Sequence, residues 1–436
     1  MSEMKMTGKL MSLCQRHIFF CLVLWRLLNA LLLRTYFTPD EHWQSLEVAS
    51  KLVFGEGVLT WEWQEGARIR GFTHPLIFAA LYWVLKVTGW DTTWMVANSP
   101  KLLQAFFAAI CDWATFKLAQ HYFGLRVAWY ALLVQATSWF NLYCLCRTYS
   151  NSLEATLTAA ALLLWTPAWE GGGAGGGGQA AAAGGGGACA RQQRKAALAC
   201  AALCVAVRPT SGALWLAVGL LRLSHLRGGP AALLAYLARG ALPVAGGVVG
   251  FSVLLDSRLY GAPTLCAWNF LRFNVLRGGS ALFGAHPWHW LGTQGLPACL
   301  GPALPLFLRG AAAACARRPA ATGPLALAAW FLAAHSVSAH KEFRFLMPVL
   351  PLCHMYAGFG VACLLPPEQD KKDDDERPGE EEAADRRRKK QSGWARSGVV
   401  AVTALNLLVG GYFATTHQRG PLAAVEALRP LLRRAL

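Results

Sequence analysis

Charge is scarce in this sequence. Of its 436 residues only 15% are Asp, Glu, Lys or Arg, against about 25% in an ordinary soluble domain. Acidic residues are the scarcer kind, 24 against 41 Lys and Arg, which leaves a formal charge of +17 at pH 7. Paired cysteines are missing as well. The 13 cysteines form an odd, scattered set with no CxxC pair, most of them inside apolar runs (Cys111, Cys144, Cys200, Cys204, Cys353, Cys363). Such a set makes neither a disulfide framework nor a zinc site and reads as free, lipid-buried thiols. No internal repeat is visible. These absences exclude a soluble enzyme of two or three domains, a disordered chain and a disulfide-knit secreted module.

What the sequence does hold is apolar: 55% hydrophobic residues, 18 Trp and 21 Phe, with a mean hydropathy of +0.33. In a soluble protein so much positive charge would point to nucleic acid. Here the basic residues lie between apolar runs rather than along one polar face, so no nucleic-acid partner is expected. Runs long enough to cross a bilayer start near residues 17, 74, 101, 126, 150, 196, 231, 288, 321, 345 and 398. The expected fold class is therefore an all-α polytopic membrane protein of about eleven spans, surrounded by membrane lipid. The first run, 17–33, carries Arg26 and leads into Arg34-Thr35-Tyr36 rather than a small-residue cleavage site, so it reads as a span and not as a cleaved signal.

Orientation follows from where Lys and Arg gather. Lys5, Lys9 and Arg16, the Arg222/Arg227 loop, the Arg309/Arg317/Arg318 loop and the Arg386–Lys390 run share one side by parity, taken as cytosolic. The loops 35–73, 256–287 and 339–344 then share the other side. Arg191, Arg194 and Lys195 break the pattern. The organisation expected is a cytosolic N-terminus (1–16), a membrane domain (17–367), a charged cytosolic linker (368–396), and a last span with a short C-terminus (397–436). Residues 170–190 are nearly all Gly and Ala, a flexible insertion without chemistry.

Three loops on the non-cytosolic side carry chemical side chains. The first holds Thr38-Pro39-Asp40-Glu41-His42-Trp43-Gln44. One reading is a capping box with Thr38 at N-cap, Pro39 at N1 and Glu41 at N3. The other is a carboxylate at the membrane surface that acts as a base. The same loop adds Trp61-Glu62-Trp63, Arg68 and Arg70, where aromatics beside acids suit either sugar stacking or an interfacial belt. The second loop contains Asn269–Leu276 and His286-Pro287-Trp288-His289-Trp290. His286 and His289 have metal-pair spacing but no third ligand, so no metal is expected. The third, His340-Lys341-Glu342-Phe343-Arg344-Phe345, reads as a phosphate grip or as a snorkelling cluster with a Lys341–Glu342 pair.

Taken together, Pro39–Glu47, Leu59–Trp63 and the His340–Phe345 box resemble the dolichol-phosphate-mannose-dependent α-mannosyltransferases of the GT-C superfamily. The box corresponds to that family's HKExRF motif. The Asn269–Leu276 and His286–Trp290 loops, with Gln294-Gly295 and His417–Gly420, look most like the branch that adds the third mannose of the glycosylphosphatidylinositol (GPI) anchor. The resemblance runs from about residue 25 to 420, interrupted by the Gly/Ala insertion and the charged linker. It implies a GT-C type helix bundle in the endoplasmic reticulum membrane, with the active site in lumenal loops. The implied donor is dolichyl-phosphate mannose and the implied acceptor a two-mannose GPI precursor glycolipid. An α-1,2 bond would form with no cofactor, nucleotide sugar or metal. Asp40 becomes the expected general base with Glu41 its neighbour, and Lys341 and Arg344 the donor-phosphate residues. His340, Trp61, Trp63, His286 and His289 complete the expected substrate-binding set. The family pattern also implies a lumenal region after the last span, of which this sequence carries the residues up to Leu436. Two other readings stay open: a sister enzyme that extends the dolichol-linked oligosaccharide of N-glycosylation, and a non-enzymatic polytopic transporter or scaffold.

Overall fold

The computed structural model of the chain describes residues 2–169, 186–224, 229–365 and 378–435. Most of the Gly/Ala insertion, Arg227 and the first part of the charged linker lie outside the described residues. Every described element is helical, and no strand occurs among them. Four helices are long and apolar enough to cross a membrane: Thr93–Phe123, Gly229–Tyr260, Leu291–Arg317 and Gly393–Leu428. Shorter apolar helices run over His17–Leu32, Pro75–Thr88 and Leu350–Leu364. Some other expected spans are divided into short pieces. Gly124, at φ 87°, ends the Thr93–Phe123 helix, and Ser138 separates Leu125–Thr137 from Trp139–Cys144.

The expected linker departs from its sequence reading beyond residue 377. From Pro378 it joins the last apolar run in one helix, Pro378–Thr415. Its sequence explains this: helix-forming Glu, Ala, Arg and Lys predominate.

The bundle is held by close helix crossings and by buried polar bonds. Leu304–Arg317 packs on Leu350–Leu364, which packs in turn on Leu125–Thr137. Glycine is required at the first crossing. A Cβ at Gly310 would land inside the Tyr356 carbonyl, and one at Gly360 inside that of Leu306. Small residues allow such approach where lipid removes the hydrophobic drive between helices. Between the Ser2–Leu32 and Thr93–Phe123 helices, Arg26 Nε donates to Asp112 Oδ2 at 2.6 Å, with both side chains fully buried. Asp112 also accepts from Gln135 at 2.9 Å. A charge within an apolar bundle persists only if it is paired in this way.

At one end of the bundle the three loops singled out in the sequence meet. Asn269 Nδ2 donates to Arg68 O at 3.1 Å and Tyr260 Oη to Arg70 O at 2.7 Å, which joins the first loop to the second. The His286 N–H donates to Ala339 O at 3.0 Å and so joins the second to the third.

Candidate active site

The loops enclose a cleft of about 1230 Å³, larger than the roughly 300–1,000 Å³ of ordinary small-molecule sites. Asp40 stands on its wall, at the start of a helical turn that continues through the π-helical His42–Leu46 into Glu47–Phe54. That segment closes on Gly55, whose φ of 81° is the left-handed conformation glycine adopts freely.

The capping box does not form. The Thr38 hydroxyl donates to Tyr149 Oη at 3.0 Å instead of reaching the Glu41 N–H. Glu41 turns into the bundle, where Arg147 Nη1 donates to its Oε2 at 2.8 Å. Arg147 is itself tied to Tyr143 O, Thr35 O and the Thr35 hydroxyl. Glu41 therefore has a structural duty, but not the one its sequence position suggested. It anchors the turn that presents Asp40 and does not line the cleft.

Asp40 is about a quarter exposed. Its Oδ2 accepts from Arg344 Nη2. Its Oδ1 receives no hydrogen bond among the described residues, and Asp40 lines a cleft whose volume can hold a saccharide.

The His340–Phe345 box is divided by its own backbone. Glu342 is extended, with φ −134° and ψ 155°, so neighbouring side chains leave on opposite sides. His340 and Glu342 go to the cleft together, Nε2 to Oε1 at 2.9 Å. Glu342 also receives Arg344, through Nε at 2.6 Å and Nη2 at 2.7 Å. Lys341 goes the other way. Its Nζ donates to His286 O at 3.1 Å and to Ser338 O, and it is buried outside the cleft. The expected Lys341–Glu342 pair is absent, because Glu342 is committed to His340 and Arg344.

Electrostatics follow from these partners. The hydrogen bond with Glu342 raises the His340 pKa above the ordinary histidine value, and burial only partly opposes it. Burial works against charge on Glu342, but the bond from His340 and the Arg344 guanidinium outweigh it and hold the carboxyl well below the usual range. Burial likewise opposes charge on Arg344, and Glu342 and then Asp40 overcome it.

The opposite wall is aromatic and polar. Trp61, part exposed, lies 5.1 Å from the Phe273 ring and parallel to Phe283 at 6.2 Å. Beside it Arg70 grips Glu62 Oε1 through Nε at 3.0 Å and Nη2 at 2.7 Å, and Gln44 adds a bond to Glu62 at 3.3 Å. An apolar ring face next to fixed hydrogen-bonding groups suits a sugar.

The remaining expected residues stand elsewhere. Trp63 is core, packed on Phe72 at 5.0 Å and only 3% exposed. His286 stacks on Trp290 at 4.4 Å, and His289 Nδ1 is 3.0 Å from the Thr293 hydroxyl; neither lines the cleft. The structure thus brings Asp40, Trp61, His340 and Arg344 together and leaves Glu41, Lys341, Trp63, His286 and His289 outside. It adds Glu62, Arg70, Glu342 and, from a segment read as apolar, Arg208. The signal for Arg208 was an arginine before a proline at the end of an apolar run.

With this geometry in hand, comparison with known proteins is informative. The model of the Alg9-like mannosyltransferase family matches residues 17–434. "Mannosyltransferase APTG1" of Arabidopsis thaliana is 39% identical over 347 residues, covering 80% of this chain and 59% of that protein. "GPI alpha-1,2-mannosyltransferase 3" of Danio rerio is 34% identical over 410 residues, covering 94% and 66%. The Homo sapiens protein of the same name is 33% identical over 404 residues, covering 93% and 63%. The chain therefore spans about three-fifths to two-thirds of the length of these relatives. Among solved structures, ArnT from Cupriavidus metallidurans bound to undecaprenyl phosphate superposes with a TM-score of 0.60 at 13% identity, over 96% of this chain and 80% of that one. That likeness is one of fold, and it agrees with the expected all-α architecture.

Proposed function

From the premise that the chain belongs to the Alg9-like mannosyltransferase family, we propose that it transfers mannose from dolichyl-phosphate mannose to a two-mannose GPI precursor, forming an α-1,2 bond. Relatives named for that activity support the acceptor and the linkage. A fold neighbour crystallised with a polyprenyl phosphate supports a lipid-linked donor. We place the reaction at the lumenal face of the endoplasmic reticulum membrane. The eleven-span arrangement belongs to the same proposal, since its parity sets the three cleft loops opposite the basic ones.

The observation that carries the reading is Asp40, a cleft-lining carboxylate anchored through one oxygen to Arg344 with the other free of hydrogen bonds among the described residues. The donor mannose is β-linked to phosphate and the product is α-linked, so the anomeric carbon inverts. One in-line displacement achieves this. The acceptor hydroxyl attacks, its proton passes to Asp40 Oδ1, and the lipid phosphate departs with the bonding pair. No second carboxylate is needed as a nucleophile. Trp61, with Glu62 and Gln44 beside it, offers a surface for the acceptor sugar.

The test is lipid analysis in cells that lack the corresponding transferase. A two-mannose GPI precursor should accumulate, and expression of this chain should clear it. Clearance of a truncated dolichol-linked oligosaccharide instead would assign the chain to N-glycosylation, and clearance of neither would overturn the reading.

A further inference from the structure

Arg208 is the cleft arginine whose carboxylate partner lies outside the cleft. It follows the Gly186–Val207 helix and is 9% exposed. The Ser150–Trp169 helix holds it from one side: Nη1 donates to Ser150 Oγ at 3.2 Å and Asn151 Oδ1 at 3.1 Å, and Nε lies 3.1 Å from Glu154 Oε2. Glu154 is in turn held by the Ser211 hydroxyl. A guanidinium has five donors in a fixed plane. The two on Nη2 receive no partner among the described residues, although Arg208 lines the cleft. The sealed donor without a hydrogen bond is Nε, while Nη2 is not sealed from solvent and so is open to a ligand in the cleft.

The other cleft arginines pair with carboxylates that themselves line the cleft, whereas Glu154 does not. Arg344 already carries two carboxylates, Glu342 and Asp40. Arg70 is taken by Glu62, and Lys341 is turned to backbone carbonyls outside the cleft. An anion that approaches Arg344 meets two carboxylates bonded to it; the carboxylate paired with Arg208 is buried and lies outside the cleft. The two arginines are also neighbours. Phe345 lies under both guanidinium carbons, 5.2 Å from that of Arg208 and 5.8 Å from that of Arg344. Both arginines line the same cleft beside this ring, and a phosphate can accept from more than one guanidinium.

We propose that Arg208 is an anion-binding residue of the cleft and holds the phosphate of the lipid-linked sugar donor beside Arg344, the role that Lys341 cannot fill from its position. The inference rests on the donor chemistry proposed above. The same phosphate chemistry could come from the acceptor, and the experiment separates the two.

Full-length chain in lipid nanodiscs is measured for binding of dolichyl phosphate alone, and for mannosyl transfer with donor and acceptor varied separately. Arg208→Gln should raise the donor KM and the dolichyl phosphate Kd about tenfold or more, the loss expected for a charge-assisted bond. The acceptor KM should stay at the wild-type value, and Arg208→Lys should recover part of the loss. Because Arg208→Gln strands Glu154, the double variant Arg208→Gln/Glu154→Gln is compared with it. If Arg208 serves only to neutralise Glu154, the double variant regains wild-type donor KM, and the proposal is overturned. A rise in acceptor KM with donor KM unchanged overturns it too, by assigning the phosphate to the acceptor. Wild-type protein that binds dolichyl phosphate in an Arg208-dependent way but transfers no mannose would sink the proposed function and leave this inference standing.

Discussion

Substitution of Glu41 and of Asp40 by their amides should separate folding from chemistry at adjacent positions. Glu41 is about 5% exposed and Arg147 about 2%, at 2.8 Å from each other. Glu41→Gln removes the counter-charge but leaves an amide oxygen for Arg147 Nη1, while the Thr35 and Tyr143 acceptors remain. Breaking a buried ion pair costs about 3–5 kcal/mol; the retained acceptors set the expectation at the low end, about 3 kcal/mol. Asp40 is more exposed, and its partner Arg344 keeps two bonds to Glu342. Asp40→Asn exchanges one charge-assisted bond for a neutral one, on the order of 1 kcal/mol. Thermal unfolding of the solubilised proteins followed by size exclusion reads the stabilities, and mannosyl transfer at matched folded protein reads the chemistry. Glu41→Gln should unfold well below the wild type yet retain turnover per folded molecule. Asp40→Asn should unfold near the wild type and be almost inactive. If Glu41→Gln melts with the wild type, the anchoring argument fails; an active Asp40→Asn protein removes the proposed base.

Other perturbations follow from the same contacts. Lys341→Ala should lower thermal stability while leaving the donor KM unchanged, because its ammonium ties the His286 carbonyl to its own loop outside the cleft; a raised donor KM in stable protein would return Lys341 to the phosphate. Donor use should fall as pH climbs from mildly acid to alkaline, and His340→Gln should flatten that limb of the transfer-rate profile. The sign is that of a raised histidine pKa: His340 keeps its positive charge beyond the ordinary histidine value and loses it as pH rises through the higher folded value. Glu342, held low, stays ionised across this window. Arg26→Gln should cost about 3–5 kcal/mol, read as loss of monodisperse protein, and Arg26→Met with Asp112→Leu should recover most of it, since apolar replacement of both partners removes the stranded charge.

The sequence was informative where function depends on local pattern. Apolar run length pointed to a helical membrane protein, and the position of Asp40 just after the first run placed it at the end of the bundle where the loops gather. The Trp61 and His340–Phe345 segments were visible because their residue types are unusual beside apolar runs. What could not be read were partners distant along the chain. Glu41 looked like a helix cap because Thr38 stands three residues before it, whereas the Arg147 that claims it is 106 residues away. Lys341 looked like a phosphate ligand because charge alone does not say which side of an extended segment it leaves. Arg208 was passed over because the apolar run before it and the one after it read as membrane.

The division between the two neighbouring carboxylates has a simple geometric origin. Successive residues on a helical turn leave the axis about 100° apart, so a turn lying along the edge of the bundle must send one of two adjacent side chains inward and the other outward. Pro39 and the backbone bonds from Glu41, His42 and Trp43 back to Thr38 and Pro39 set where that turn begins. Arg147 settles which residue goes inward, because an arginine buried among Tyr143, Thr35 and Tyr149 needs a carboxylate and only the inward residue can supply it. Asp40 is thereby directed to Arg344 and the cleft. The residue that makes Asp40 available for chemistry is thus one that never touches the cleft.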